Sequence, residues 1–178
     1  AAGFIGFHVA QALINKGEPV VGIDNLNDYY DVNLKEARLA KLKGSELFSF
    51  HREDIVNQAA IQQIINDNQD ISCIVHLAAQ AGVRYSLVDP QSYQHSNLEG
   101  VLMLLEVAKS LSNLEHFLFS SSSSVYGSLT NLPYKETDVT DKPMSLYAAT
   151  KKGGEVMCHT YAHLFGIPVT CLRFFTVY

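Results

Sequence analysis

Short apolar runs alternate along this chain with longer stretches in which apolar residues return every three or four positions. The first pattern marks buried strands and the second amphipathic helices. The spacing predicts helices over 4–16, 32–43, 58–66, 90 to about 111, and 146–165, and strands over 19–24, 47–50, 71–77, 116–121 and 169–174. Gly17 and Gly44 stop the first two helices, the second of which carries Leu34, Leu39 and Leu42 as its apolar positions. Asp89 stands as N-cap of the long helix, with Pro90 in its first turn.

Strands separated by helices imply βαβ units, and hence an α/β fold with a doubly wound, mostly parallel sheet and helices on both faces. The 178 residues suffice for one domain, and a hydrophobic content of 47% supports a sizeable core. The chain opens on Ala1-Ala2-Gly3 directly into a helix and stops at Tyr178 just after a strand. The expectation is a piece of one domain, 1–178, lacking its first strand and whatever follows residue 178. The loop 126–144 is long and polar and lies where it could border a site.

Composition narrows the function. A net charge of −5, with Lys151-Lys152 as the longest basic run, argues against a nucleic-acid surface. No apolar run reaches the about 18 residues of a membrane span, and no signal peptide is visible. Cys73, Cys158 and Cys171 are odd in number, far apart in sequence and set in apolar segments. They read as buried thiols of a reducing, cytoplasmic setting, with no disulfide or metal spacing. None of the seven histidines falls at metal-ligand spacing with acids or cysteines, and His76, flanked by apolar residues, reads as a satisfied core histidine.

Three groups of residues carry chemistry. Tyr147 and Lys151 are four apart within a predicted helix, so phenol and ammonium share a face. A tyrosine titrates near 10 when free, and a nearby cation favours its phenolate. The serine run 120–124 ends a predicted strand upstream, where a hydroxyl could hold an alcohol while the phenolate takes its proton. Alone, a Tyr and Lys at this spacing also describe a packed tyrosine and a solvated lysine. The second group is Gly3-Phe4-Ile5-Gly6, the last two glycines of a Gly-x-x-Gly-x-x-Gly turn. Such a turn lets backbone amides approach a pyrophosphate. Asp24 ends a strand 18 residues after Gly6, near the offset of a ribose-binding acid, and no adjacent arginine accompanies it, which favours NAD over NADP. Third, Asp54-Ile55 and Leu77-Ala78-Ala79 follow two more strands, and small residues there leave room for a flat ligand.

Ala1 to Gly6, Asp24, Asp54-Ile55, His76 to Ala79, Asn97, the segment 120–127 and Tyr147-x-x-x-Lys151 together resemble the extended short-chain dehydrogenases with a Rossmann-type fold. The stretches 22–31, 79–86 and 173–178 look like those of UDP-glucuronate 4-epimerases. The resemblance covers all 178 residues but only about the first half of such an enzyme; the substrate-binding portion lies outside it. It implies Tyr147 as general base and Lys151 as the residue that holds the nicotinamide ribose and lowers the tyrosine pKa. It implies Ser122 as catalytic hydroxyl, with Ser124 as the alternative because alternate strand residues share a face. For NAD it implies Gly3, Phe4, Ile5 and Gly6 by the pyrophosphate, and Asp24 and Asn25 by the adenosine ribose. Asp54 and Ile55 fall by the adenine, and Leu77, Ala78, Ala79 and Gln80 along the cofactor. Asn97 braces it, and Phe175 approaches the nicotinamide. Thr176 and Arg84 are candidates for the sugar or its carboxylate, though Arg84 reads equally as a surface loop charge. The implied activity is NAD-dependent 4-epimerisation of a UDP-sugar by a homodimer formed through the helices at 90–111 and 146–165. The apolar set Val101, Leu104, Leu105 and Ala108 could equally serve the core.

Three rivals remain open at this point. A nucleotide-sugar 4,6-dehydratase needs an acid/base pair to eliminate water, and the strand end reads Ser122-Ser123-Ser124 with no Asp-Glu pair. A UDP-glucuronate decarboxylase would also want an acid near the serines. A non-catalytic dinucleotide-binding module keeps glycines but loses Tyr or Lys; both are present.

Overall fold

A computed structural model describes all 178 residues, Ala1–Tyr178. The chain divides into two compact units, 1–61 and 62–178. Every strand pairing is parallel, in the strand–helix order of a Rossmann-type α/β protein. The ladders join two strands in the first unit and three in the second.

In the first unit, helix α1 (Phe4–Asn15) follows the glycine turn, and strand β1 (Val20–Ile23) pairs with β2 (Phe48–His51). Helix α2 (Val32–Leu42) lies between them in sequence and is capped by the Asp31 carboxylate, which accepts from the Asn33 N–H. Ala2, Ala10, Leu26, Leu39, Leu42 and Phe48 form the buried core. Leu34 is not part of it, being 46% exposed. Lys35 occupies the inward position with Leu39 and Leu42, at i, i+4 and i+7. Its ammonium is satisfied by the Asn27 carbonyl and side-chain oxygen at 2.7 and 2.8 Å.

Helix α3 (Gln58–Asp67) begins in the first unit and ends in the second. The second unit is built on β3 (Cys73–His76), β4 (His116–Ser122) and β5 (Val169–Phe174), with β4 in the middle. Phe117 and Phe119 of β4 are fully buried. Helix α6 (Leu146–Phe165) packs on this strand, where a Cβ at Gly154 would overlap the Phe119 ring. Ser145 caps α6 by accepting from the Ala148 N–H, and Gly166 closes it at φ 70°, the left-handed conformation that glycine adopts at low cost.

The long helix is interrupted. It runs as α4 (Pro90–Tyr93), a π-helical stretch Gln94–Glu99, and α5 (Gly100–Ala108). Asp89 caps it as expected, accepting from the Ser92 N–H. The widened turn carries Asn97, which is buried and fully hydrogen-bonded, and such turns recur at functional sites. Val101, Leu104, Leu105 and Ala108 are all buried within the chain, so this set serves the core.

The cysteines depart from expectation. Only Cys158 is buried; Cys73 begins a sheet-edge strand with its side chain exposed. The Cys171 thiol of β5 beside it, with burial second, raises the pKa of Cys158 in α6.

Candidate active site

Each serine at the end of β4 has its own partner. The Ser120 carbonyl accepts from the Lys151 ammonium at 2.7 Å, with its hydroxyl 3.4 Å away. The Ser121 hydroxyl donates to Glu155 at 2.6 Å. The Ser122 hydroxyl oxygen accepts from the Ser124 N–H at 3.2 Å, which leaves its own O–H free to donate elsewhere. Ser124 is not in the strand: the chain turns into a 3₁₀ helix over Ser123–Tyr126, so strand alternation does not put Ser122 and Ser124 on one face.

Lys151 is 3% exposed and lies 5.2 Å from the centre of the Phe119 ring. Burial pushes its pKa down to about 8. Of its three N–H groups, the Ser120 oxygens engage at most two. Tyr147, one helical turn earlier, is half-buried, and its ring meets that of Tyr93 edge-to-face at 6.1 Å. Tyr93 is fully buried, and its hydroxyl reaches the Ala81 and Gly82 carbonyls at 2.7 and 2.5 Å.

Asn97 ties the same parts together. Its side-chain oxygen accepts from the Gln80 N–H at 2.8 Å, and its amide donates to the Gln80 carbonyl at 3.0 Å and to the Thr150 hydroxyl at 3.1 Å. Thr150 donates in turn to the Tyr147 carbonyl at 2.8 Å. The loop after β3, which holds Leu77 to Gln80, is thus braced against the start of α6. Tyr93 and Thr150 escape sequence reasoning because neither motif nor spacing distinguishes a buried tyrosine or a mid-helix threonine from core filling.

A second network lies one turn further along α6. Arg173 of β5 donates twice to Glu155, from Nε at 2.9 Å and Nη2 at 3.0 Å, and stacks over Tyr126 at 4.9 Å. Burial alone would raise the Glu155 pKa; hydrogen bonds from Arg173 and Ser121 outweigh it and hold the carboxyl below its ordinary value. A cleft of about 690 Å³ lies along this side of α6, lined by Tyr126, Tyr134, Glu155, His159 and Arg173 among others. Neither Tyr147 nor Lys151 lines it. Phe175, 62% exposed, borders the cleft beside the stacked Tyr126 and Tyr134 rings. Thr176 and Arg84 are exposed, Arg84 at the head of a 3₁₀ turn, Tyr85–Leu87.

In the first unit the glycine turn stands open. A Cβ at Gly3 would meet only the Tyr30 hydroxyl, at 3.6 Å, whereas one at Gly6 would come within 3.3 Å of the Ala1 backbone. Gly3 therefore leaves the backbone approachable and Gly6 permits close packing of α1. No side chain caps α1, so its first N–H groups are available to an anion. Ile5 and Gly6 are half-buried and Phe4 is exposed. Asp24 accepts from the Ala2 N–H at 2.9 Å and the Leu26 N–H at 3.0 Å and retains lone pairs for a further donor. Leu26, at φ 54°, holds the left-handed turn that makes the second bond. Asn25 donates to Asp54 at 3.0 Å, and Ile55 is buried. Arg38 of α2 reaches the Ala2 carbonyl at 3.4 Å and the Tyr30 hydroxyl at 3.5 Å. An arginine thus does stand by the turn, delivered by the helix and not by sequence adjacency to Asp24.

His76 is buried, as expected, but not satisfied. Neither ring nitrogen has a partner, and the ring lies between 5 and 7 Å from those of Phe117 and Phe119. Burial, with the Lys151 charge second, lowers its pKa to about 3. An unfolded histidine titrates near 6.5, so as pH falls below about 6.5 the unfolded state takes a proton that the folded state refuses, and stability declines down to about pH 3. A His76→Leu variant is expected to lose less stability than the parent between pH 7 and pH 5 in urea unfolding; equal losses would contradict this.

Wholly parallel strands wound with helices, and a tyrosine and lysine one turn apart on the helix packed against a serine-ended strand, agree with the short-chain dehydrogenase resemblance read in the sequence. The chain belongs to the family described as GDP-mannose 4,6 dehydratase, whose profile matches residues 1–178. It is 51% identical over 178 residues to UDP-glucuronate 4-epimerase 3 of Arabidopsis thaliana, covering 100% of this chain and 41% of that protein. With a probable UDP-glucuronate 4-epimerase of Rhizobium meliloti (strain 1021) it shares 49% over 177 residues, 99% of this chain and 51% of the other. The chain therefore spans about half the length, or less, of these curated relatives. Among solved structures, UDP-glucuronic acid 4-epimerase from Bacillus cereus, in complex with UDP-glucuronic acid and NAD, superposes with a TM-score of 0.92 at 40% identity. The match covers 100% of this chain and 55% of that one.

Proposed function

We propose that the protein carrying this chain is an NAD-dependent 4-epimerase of UDP-glucuronate, giving UDP-galacturonate through a transient 4-keto sugar. The observation that carries the reading is similarity to UDP-glucuronate 4-epimerases over the whole chain, at 51% and 40% identity. The residues present fit the cofactor. The glycine turn is approachable at Gly3, the start of α1 is uncapped, and Asp24 keeps acceptor capacity for a ribose hydroxyl. In this reading Gly3 to Gly6, Asp24, Asn25, Asp54 and Ile55 hold the adenosine and pyrophosphate, and Leu77 to Gln80 with Asn97 and Phe175 line the nicotinamide half. NAD, when bound, supplies a reversible hydride acceptor for C4.

The chain's own residues move the proton. Tyr147 takes it from the sugar 4-hydroxyl and returns it after the keto sugar has turned over in the site. Lys151, its ammonium desolvated and fixed by Ser120, places positive charge at the foot of that exchange and offers its remaining N–H to a ribose hydroxyl. Ser122 is favoured over Ser124 as the hydroxyl that holds the sugar oxygen, because it is buried at the strand end with its O–H uncommitted. Arg84 and Thr176 remain the candidates for the sugar carboxylate.

Elimination and decarboxylation are less well supported. The acid hydrogen-bonded to the serine run, Glu155, is already committed to Arg173 and Ser121. Incubation of the intact protein with UDP-glucuronate is expected to give UDP-galacturonate of unchanged mass by chromatography and mass spectrometry. Loss of water or carbon dioxide would move the assignment to a dehydratase or a decarboxylase, and no product from an NAD-loaded protein would make it a binding module.

A homodimer formed through the helical run 90–108 and α6 is part of the proposal, supported by Leu102 and Val156, which stay exposed on those helices. Sedimentation should give the mass of two chains; one chain would contradict it. No helix is long and apolar enough to cross a membrane. Three free thiols support a cytoplasmic setting, which fractionation of cells tests.

A further inference from the structure

We propose that Thr150 is a positioning residue for the proton-transfer end of α6, through which the placement of the loop after β3 is transmitted to Tyr147. The inference rests on the epimerase reading and names a residue that reading does not use.

A threonine that bonds back to the carbonyl three residues earlier is ordinary in a helix. Thr150 does this with the Tyr147 carbonyl at 2.8 Å, but it also accepts from the Asn97 amide at 3.1 Å, across 53 residues of sequence. Both groups are buried, Thr150 at 3% and Asn97 at 1% exposure. Both Asn97 donors are committed, to the Gln80 carbonyl and to Thr150, and its oxygen takes the Gln80 N–H. The hydroxyl therefore has one geometry in which it satisfies both neighbours. The line of bonds runs from Gln80 through Asn97 and Thr150 to the backbone of Tyr147 itself.

Removing the hydroxyl strands one Asn97 N–H in a buried place and frees the first turn of α6 from the loop. The phenol then keeps its chemistry but loses its fixed position, and displacement of a reacting group by about 1 Å is enough to cost on the order of 100-fold in rate. Asn97 keeps both of its bonds to Gln80, and Lys151 stays tied to Ser120, so the groups assigned to the cofactor hold their places and NAD retention is not expected to suffer.

The test uses the intact protein and compares Thr150→Val, which keeps shape without the hydroxyl, with Thr150→Ser, which keeps the hydroxyl. Turnover with UDP-glucuronate, KM, NAD retained per chain and thermal midpoint are read for each. The Val variant is expected to lose about 10- to 100-fold in kcat with KM and NAD content within about two-fold, and the Ser variant to recover to within about three-fold of the parent. Equal kcat in the Val variant and the parent overturns the proposal. So does a loss that Ser fails to rescue, or one that follows NAD loss and melting in proportion, since these mark a merely structural role. If the Val protein is not recovered folded, Thr150→Cys, a poor hydrogen-bonding replacement, takes its place with the same criteria. An inactive parent would instead count against the epimerase reading itself.

Discussion

Replacing Tyr147 with Phe is expected to abolish epimerisation in the intact protein while NAD stays bound. The substitution deletes one oxygen. The ring that meets Tyr93 edge-to-face is kept, as are the backbone carbonyl bonded to Thr150 and the Lys151 bond to Ser120. Nothing that holds the fold is removed, so the loss reads on chemistry alone. General acid–base groups contribute about 10²- to 10⁴-fold, and here a single group both removes and returns the proton, so a loss at or beyond the upper end is expected. A coupled sugar assay with parallel determination of bound NAD checks it. Activity above about a hundredth of the parent's, at full NAD content, would remove Tyr147 from the role of base.

The second large effect concerns stability. Glu155 and Arg173 form a two-pronged pair at 9% and 17% exposure, with Ser121 completing the carboxylate's partners. Replacing Arg173 with Met leaves a largely buried carboxylate with one hydroxyl and the more distant Lys152, at 3.7 Å, for company. Removing one partner of such a pair costs about 3–5 kcal/mol, whereas replacing both by apolar residues is often near neutral. Urea unfolding should therefore find Arg173→Met strongly destabilised, and the Glu155→Met, Arg173→Met double variant substantially recovered. A double variant as unstable as the single one would mean that Arg173 acts mainly through its stacking on Tyr126.

How far the chain could be read in advance follows from the range of the forces involved. Helix α6 and strand β5 were legible to the residue, because Ser145 caps, Gly166 stops and Pro168 restarts the chain within a few positions. The Tyr147 and Lys151 pair and the Gly3, Gly6 and Asp24 spacing were legible for the same reason, since each motif is local. The π-helical turn at Asn97 was not, because it answers to Gln80 and Thr150, partners 17 and 53 residues away. Lys35 took a core-facing position from Leu34 because the Asn27 oxygens are there to satisfy it, which no periodicity reports. The five serines were a single signal in sequence. Only their separate partners, Lys151, Glu155 and the Ser124 N–H, give Ser120, Ser121 and Ser122 different tasks.

In the proposed reaction C4 of the sugar gives up a hydride and takes the same one back. UDP-glucuronate deuterated at C4, turned over by the intact protein in ordinary water, tests it most directly. UDP-galacturonate is expected to keep its deuterium at C4, with total mass equal to that of the substrate. Loss of the label to solvent, or its arrival at another carbon with loss of water, would contradict it.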